Sequence, residues 1–165
     1  MENKIIEYSK KTKDGYRLLV IFQPMGHRCG YVGLPKDHVA NNIESYIPCV
    51  YFEDLDEWTI NKIIIQKNIN NIKVHGGLTY ANSDKEIFKN NRWYFGFDCI
   101  HGGDAVDYES AFKYFKDNPE VIKKLKQNQD LDNKFPINDN VVRDLDYVKK
   151  EVKSLYKQLK AIAKG

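Results

Sequence analysis

The sequence predicts an α+β fold, in which a mainly antiparallel sheet of about five strands is packed by a long C-terminal helix and shorter helices. Three observations predict it. Short apolar runs between turn residues fill about 4–100, helical patterns fill about 105–164, and the last segment repeats apolar residues at spacings of three and four. The composition, 42% hydrophobic and 30% charged, is that of an ordinary globular protein. We therefore expect one α+β domain over residues 1–165.

The first strands are predicted from two apolar runs joined by an Asp-Gly turn. Ile5–Tyr8 and Tyr16–Gln23 flank this dipeptide, which is typical of a tight turn between antiparallel strands. A third strand is predicted over His27–Leu34, and Pro35 ends it because proline lacks the N–H that a strand ladder needs. The chain is thus expected to begin as a β-hairpin followed by a third strand.

The centre of the chain is predicted to hold two further strands. Ile72–Ala81 and Arg92–Ile100 have strand patterns, and the polar segment Asn82–Asn91 suits a hairpin connection between them. Trp58–Asn71 fits an amphipathic helix or a strand, and its β-branched isoleucines favour the strand. Pro48–Asp56 fits a strand or a loop.

The C-terminal part is predicted to be helical. Tyr108–Lys116 and Pro119–Asn128 have short helical patterns, and Leu131–Asn140 is predicted to be a loop. The last helix is amphipathic and about six turns long. Its apolar stripe consists of Val141, Leu145, Val148, Val152, Leu155, Leu159 and Ile162.

The length of this stripe predicts self-association. Six helical turns span about 33 Å whereas a typical strand spans ~17–20 Å, so a small sheet cannot cover the whole stripe. We expect its distal part, Leu155, Leu159 and Ile162, to be exposed in a monomer. The chain is therefore expected to form a homodimer or a larger closed assembly.

The candidate site lies between Val74 and Asp104, where each of two apolar runs is followed by a histidine and then by two glycines. If the two central strands pair, His75 and Asp98 project from one face, and a carboxylate beside an imidazole is the arrangement of a general base. His101 or Asp104 could add a second acid or base. The alternative is structural, because such histidines can hydrogen-bond a turn and such aspartates can cap loop amides. The candidate catalytic residues are His75, Asp98, His101 and Asp104.

The glycine pairs also suit an anion-binding site. Neither a P-loop nor a dinucleotide-binding glycine motif is present, but successive amides in glycine-rich turns can form an anion nest. Together with Arg28, Arg92, Lys73 and the tyrosines, this suits a phosphorylated aromatic ligand such as a nucleotide. Tight turns that bind nothing are the alternative. The candidate ligand-binding residues are Arg28, His75, Gly76, Gly77, Thr79, Tyr94, Asp98, His101, Gly102, Gly103 and Asp104.

Two short His–Cys pairs could form a zinc site. His27-x-Cys29 and Cys99-x-His101 supply four ligands, but neither pair has the C-x₂₋₄-C spacing of structural zinc sites. Cys99 is a weak candidate nucleophile, because it lies on the aromatic face of its strand. We therefore expect no metal and no cofactor.

Charge and composition narrow the partners and the compartment. The formal charge is only +3, so a nucleic-acid partner is not expected, although Val121–Gly165 contains eleven Lys or Arg against six Asp or Glu. No apolar run approaches the ~20 residues of a membrane helix, so no membrane partner is expected. A chain with no signal-peptide pattern and an odd number of cysteines, three, is expected in the cytoplasm.

Four motifs resemble those of a family of small phage and prophage proteins. They are His27-x-Cys29-Gly30-Tyr31-Val32, His75-Gly76-Gly77-Leu78-Thr79-Tyr80, Gly96-Phe97-Asp98-Cys99-x-His101-x-Gly103-Asp104 and Asp144-x-x-Tyr147-Val148-x-x-Glu151. The resemblance runs from about Gly26 to Leu159 and implies a phage origin, and hence the cytoplasm of the host cell. Small phage proteins often act against host defences, some by sequestering nucleotide immune signals.

Three functional hypotheses follow from these observations. The leading one is a non-enzymatic protein that captures a small nucleotide-like ligand, such as a host immune signal. The second is a hydrolase or phosphodiesterase built on the His–Asp centre. The third is a protein-interaction module whose surface is the basic terminal helix.

Overall fold

The computed structural model describes residues 4–44 and 56–163. Its strands are β1 (Ile5–Lys11), β2 (Arg17–Phe22), β3 (Arg28–Gly33), β4 (Tyr80–Asn82), β5 (Tyr94–Asp98), β6 (Asp104–Ala105) and β7 (Val141–Val142). Its helices are α1 (Glu57–Asn70), α2 (Lys85–Phe88), α3 (Tyr108–Tyr114), α4 (Pro119–Lys134) and α5 (Leu145–Ile162). The predicted α+β fold is confirmed.

Within the described residues, five strands form one antiparallel sheet in the order β1-β2-β3-β5-β4. The predicted hairpin is present, and β3 follows it as predicted. β3 pairs with β5 rather than with β4. The chain therefore leaves the sheet after β3, passes through α1, and returns as β4 on the far side of β5. A separate parallel pair joins β6 to β7, with Asp104 opposite Val141. This pair brings the segment before α5 to the turn that follows β5.

Helix α5 packs against one face of the sheet. The side chains of Val152 and Phe97 meet over Gly30 of β3, where an added Cβ would collide with both. Glycine is therefore required at this position for the helix to approach the strand closely. Four residues of the helix are fully buried in the main core: Val148, Val152, Leu155 and Leu159.

The prediction that the distal stripe of this helix is exposed is wrong. Leu155 and Leu159 are 0% exposed, and Ile162 is partly buried against the same core. The helix also begins at Leu145 rather than Val141, because Asp144 caps it by accepting a hydrogen bond from the Tyr147 N–H at 2.7 Å. The stripe is therefore shorter than predicted, and the sheet covers it together with α1 and the segment that follows β3. Assembly into an oligomer stays a prediction that has lost this basis.

Segment 57–70 is helical, so the preference for a strand was wrong. Asp56 caps the helix by accepting a hydrogen bond from the Thr59 N–H at 2.7 Å, and a capped helix outweighs the strand preference of isoleucine. Of the isoleucines of this helix, only Ile69 is fully buried, whereas Ile60 and Ile64 are exposed. Of the segment Pro48–Asp56, all but Asp56 lies outside the described residues.

Most of the predicted strand Ile72–Ala81 is a loop. Its backbone bonds to α5 rather than to a neighbouring strand: the Lys73 N–H donates to Gln158 at 2.9 Å and the His75 N–H donates to Glu151 at 2.7 Å. Pairing with β5 is restored only at β4. The predicted strand Arg92–Ile100 is present as β5, and the connection between the two strands contains the short helix α2.

The remaining helices differ from the prediction mainly in length. α3 and α4 begin at the predicted residues, but α4 continues to Lys134, so the predicted loop Leu131–Asn140 begins later. Both pack at the end of the sheet, where they form a separate core cluster with Phe22 of β2. That cluster contains Phe22, Ala111, Phe115, Val121 and Leu125.

Arg28, a predicted ligand contact, is part of a buried ionic network. Its Nε and Nη2 donate to the two carboxylate oxygens of Glu7 at 2.7 and 2.9 Å. Its Nη1 donates to Asp107 at 2.8 Å and to the Arg143 carbonyl at 3.2 Å, and Nη2 reaches Ser110 at 3.5 Å. All five N–H donors are therefore used inside the protein. Burial works against the charge, but Glu7 and Asp107 outweigh it and raise the pKa of Arg28.

We expect the Arg28→Met variant to lose about 3–5 kcal/mol of unfolding free energy, because two carboxylates would be left without their partner. Urea unfolding followed by circular dichroism measures this loss. Arg17→Met, at a partly buried position on the neighbouring strand, is the matched control and should change the value by less than about 1 kcal/mol. Equal losses in the two variants would show that the ionic network adds nothing to the free energy of unfolding beyond the effect of an ordinary, partly buried arginine.

The same network predicts a dependence of stability on pH. Burial opposes ionisation of Asp107, but hydrogen bonds from Ser110 and Arg28 lower its pKa below 3.8 in the folded protein. A carboxylate whose pKa is lowered by folding stabilises the folded protein fully at any pH above the pKa that it has in the unfolded chain. This stabilisation is lost as the pH falls through the pKa that it has in the folded protein. At pH 6 we expect Asp107→Asn to lose about 1.5–3 kcal/mol, and the difference from wild type should shrink below pH 3.8. Asp146→Asn, which changes an exposed carboxylate, is the control and should change the unfolding free energy by less than about 0.5 kcal/mol at pH 6.

Candidate functional site

The site is built around the carboxylate of Asp104. This side chain is 1% exposed and belongs to the first residue of β6. Its Oδ2 accepts a hydrogen bond from His75 Nε2 at 2.8 Å and from the His101 backbone N–H at 3.0 Å. Its Oδ1 accepts one from Arg143 Nε at 2.8 Å. One buried carboxylate thus joins three separate segments of the chain.

Asp104 is ionised in this setting. Burial alone would raise its pKa, but the hydrogen bonds from Arg143, the His101 amide and His75 outweigh burial and lower the pKa to about 2. The same bond raises the pKa of Arg143. The centre of the site is therefore a fixed negative charge that is paired on both oxygens.

His75 is held by two residues of α5. Its Nδ1 lies 2.9 Å from the hydroxyl of Tyr147, and its backbone N–H donates to Glu151. Tyr147 and Glu151 are four residues apart, so they occupy the same face of the helix. Because the ionised Asp104 can only accept, the Nε2 of His75 carries a proton. The imidazole is thus fixed in orientation at both nitrogens.

His101 is the more accessible imidazole. Its side chain is 34% exposed, and its ring lies edge-on to that of His75 with the centroids 5.6 Å apart. Its Nδ1 is buried without a hydrogen-bond partner, 3.8 Å from Asp98 Oδ1 and 3.7 Å from Asp104 Oδ2. Gly76, with φ +64°, lies directly against this ring. A polar atom that is buried between two carboxylates and unbonded is costly, and so indicates a functional position.

Asp98 is a neighbour of His101 rather than the partner of His75. It accepts a hydrogen bond from the Thr79 hydroxyl at 2.8 Å and from the Ile100 N–H at 3.2 Å. The predicted partner of His75 was wrong: Asp104 occupies that place, because His75 lies in a loop and not on the face of a strand. All four candidate catalytic residues nevertheless lie in one cluster.

Two of the predicted ligand contacts are not in the cluster. Arg28 uses its donors in the ionic network described above. Tyr94 is 0% exposed, stacks on Phe88 with ring centroids 3.7 Å apart, and has its hydroxyl bonded to Asn90. Gly77, Gly102 and Gly103 border the two histidines, and a Cβ added to any of them would meet nothing within 4 Å.

The four residues that the sequence offered as possible zinc ligands are not brought together. Cys29 and Cys99 belong to different core clusters, on opposite faces of the sheet. Burial raises the pKa of both thiols, that of Cys99 to about 12, which also removes it as a candidate nucleophile. A different group can hold a metal: His75, His101 and Asp104 each offer one ligand atom, and these atoms lie within 4.8 Å of one another.

Three residues of the site were not predicted from the sequence to belong to it: Arg143, Tyr147 and Glu151. Arg143 precedes α5 and reaches Asp104, and its guanidinium lies 4.9 Å from the centre of the Tyr147 ring. The spacing of four between Tyr147 and Glu151 was visible beside the apolar stripe and could have marked them as one polar edge of the helix. Arg143 had no such signal, because its position depends on the pairing of β6 with β7.

Comparison with protein-family models, with curated proteins and with solved structures finds no match to this chain. Among the residues that the structure describes, no helix is both long enough and apolar enough to cross a bilayer. The assignment of function therefore rests on the geometry of the cluster formed by His75, Asp98, His101, Asp104 and Arg143, which we call the His–Asp cluster.

Two glycines allow the packing of His101 to be tested. Gly76 and Gly77 both have positive φ, but only at Gly76 would an added Cβ collide with the His101 ring. We expect Gly77→Ala to lose about 1–2 kcal/mol of unfolding free energy from backbone strain alone. Gly76→Ala should lose more and should also displace the His101 ring, which the NMR chemical shift of its Cε1–H reports.

Gly102→Ala is the baseline for this comparison, because neither a positive φ nor a nearby atom opposes a methyl group there. An unchanged His101 signal in Gly76→Ala would contradict the packing described here.

Proposed function

We propose that the protein is a hydrolase of small phosphate esters and that the His–Asp cluster is its catalytic centre. The observation that carries this proposal is the convergence of two imidazoles and two carboxylates from separate segments at a partly exposed position. Groups of this kind, held by neighbours at hydrogen-bond distances, are those that general acid–base catalysis requires.

The exposure of the four side chains supports different roles for them. Asp104 and His75 are 1% and 12% exposed, and each is bonded to the protein at both of its polar atoms. They suit a positioning role. His101 and Asp98 are 34% and 29% exposed, so they are the pair that a substrate can reach. In the metal-free cluster, Asp98 would stabilise the charged form of His101 while His101 transfers the proton.

Arg143 supports a phosphate-bearing substrate. It is 26% exposed and binds Asp104 through Nε, and its terminal N–H groups make no hydrogen bond within the described residues. A guanidinium with free donors at the edge of a catalytic cluster is suited to binding a phosphate oxygen. Arg143 would thus have the phosphate-binding role that the sequence predicted for Arg28. Nucleotides remain the expected substrates, in keeping with the predicted phage origin.

Sequestration of the same ligand without turnover is the second candidate. The observation in its favour is the rigidity of His75, since both ring nitrogens are bonded to the protein and neither is free to accept a substrate proton. A preorganised cluster of this kind can bind a ligand tightly without reacting with it.

One experiment separates hydrolysis from sequestration. Purified protein is incubated with cyclic nucleotides and ADP-ribose derivatives, and the material released by heating is analysed by chromatography. We expect hydrolysis products, with the rate falling by at least about 100-fold in His101→Ala and in Asp98→Asn because an acid–base group is lost. Asp146→Asn, an exposed carboxylate on α5, should retain the rate. Recovery of intact bound ligand would replace hydrolysis by sequestration.

A further inference from the structure

We propose that His75, His101 and Asp104 bind a divalent transition metal ion, with Zn²⁺ as the ion that we test. The three residues come from two loops that meet at one point, and each contributes one ligand atom to a group no more than 4.8 Å across. The sequence led us to expect no metal, and of the four possible zinc ligands that it offered only His101 belongs to this site.

The distances fit a zinc ion. Zinc binds imidazole nitrogen and carboxylate oxygen at about 2.0–2.2 Å, so two ligand atoms of a tetrahedral site lie about 3.3 Å apart. His75 Nε2 lies 2.8 Å from Asp104 Oδ2, and His101 Nδ1 lies 3.7 Å from the same oxygen. One distance is shorter and the other longer than this value. Small rotations of the side chains bring both to it.

The unpaired nitrogen of His101 is the observation that favours a metal over a hydrogen-bond network. Nδ1 is buried and unbonded although two carboxylates lie less than 4 Å from it. If the ring had evolved to bond either carboxylate, a shift of about 1 Å would have closed the gap to a normal hydrogen bond. A metal ion between Nδ1 and Asp104 Oδ2 gives the nitrogen a partner once their 3.7 Å separation shortens to about 3.3 Å, which is a smaller movement than a hydrogen bond requires.

The groups that orient metal ligands are already in place. Metal-binding histidines usually donate the proton of the other ring nitrogen to an acceptor, and ligating carboxylates are usually hydrogen-bonded as well. Tyr147 lies 2.9 Å from His75 Nδ1, and Arg143 Nε donates to the Asp104 oxygen that faces away from the histidines. Metal binding at Nε2 requires the other neutral tautomer of His75: the ring loses its Nε2 proton to solvent and takes one up at Nδ1, and the Nδ1–H then donates a hydrogen bond to the Tyr147 oxygen.

The ligand set indicates which metals fit. Two imidazoles and one carboxylate suit zinc and neighbouring first-row metals, whereas calcium and magnesium prefer sites made of oxygen. Three protein ligands leave a coordination position open, as in catalytic zinc sites.

A metal at this position would also refine the proposed function. This refinement, unlike metal binding, rests on the proposed function: the ion would lower the pKa of a bound water, and Asp98, beside His101, would accept its proton. His101 would then be a metal ligand, and the acid–base role would belong to Asp98.

Metal binding is tested on untagged, full-length protein that has been treated with a chelator. Calorimetric titration with Zn²⁺ should give one ion per chain, and Co²⁺ should produce the visible absorption of a tetrahedral site. We expect His101→Ala and Asp104→Asn to lower the Zn²⁺ affinity by more than about 100-fold, because each removes a ligand. Tyr147→Phe should lower it by about 10–100-fold, because it removes only the acceptor that orients His75.

Asp146→Asn is the matched control, because it removes an exposed carboxylate outside the proposed ligand set and should keep the affinity within about threefold. Circular dichroism establishes that each variant is folded, and His101→Ala decides the question if Asp104→Asn is not, since His101 is the most exposed ligand. Failure of wild-type protein to bind Zn²⁺ or Co²⁺, or binding that survives His101→Ala, would overturn the proposal.

The two proposals can fail separately. Hydrolysis that persists in the presence of a chelator, without Zn²⁺ binding, would overturn the metal site and keep the hydrolase. Stoichiometric Zn²⁺ binding without turnover of any nucleotide would overturn the hydrolase and keep the metal site.

Discussion

The buried carboxylate of Asp104 is the constraint on which the site depends. An ionised carboxylate with a 1% exposed side chain is stable only if donors replace the water that it has lost. Three donors do so, one each from the His75 ring, the His101 backbone and Arg143. Because two of these donors come from distant segments and the third from the turn that carries Asp104, satisfying one charge fixes the loop after α1, the turn after β5 and the start of α5 relative to one another. The more exposed groups, His101 and Asp98, lie in that turn and at the end of β5, and Thr79 also donates to Asp98.

Helix α5 links this site to the core of the fold. Its apolar face, which includes Val148 and Val152, is buried against the sheet, with the close approach made at Gly30. The edge of the same helix presents Tyr147 and Glu151 to the loop that carries His75. The position of the helix on the sheet therefore sets the position of the imidazole. Backbone N–H groups of this loop donate to side chains of the helix, so they are not available to pair with a strand. The chain between α1 and β4 therefore lies outside the sheet.

The contrast between Asp98 and Asp104 shows how far the sequence could predict this protein. Alternating apolar residues and an Asp-Gly turn predicted the sheet, and spacings of three and four predicted the terminal helix, because both patterns are local. The same reasoning placed the four candidate catalytic residues together, since the glycine pairs mark where the chain turns. It chose Asp98 as the partner of His75 because it assumed that residue 75 lies on a strand. The true partner depends on contacts between residues 29 positions apart in a loop and a turn, and local periodicity carries no information about these. Arg28 was misjudged for the same reason: three of its partners, Asp107, Ser110 and Arg143, are about 80 or more positions away.

The charge of the His–Asp cluster connects the proposed metal to the proposed substrate. Two carboxylates, Asp98 and Asp104, face a single guanidinium, that of Arg143, so with neutral histidines the cluster carries a formal charge of about −1. A centre of that sign repels a phosphate, and Arg143 alone does not reverse it. A divalent ion bound by His75, His101 and Asp104 changes the sum to about +1 and adds an open coordination position that a phosphate oxygen can occupy. A bound metal would therefore strengthen the attraction for an anionic substrate, whereas hydrolysis without a metal would have to rely on the guanidinium of Arg143 for that attraction.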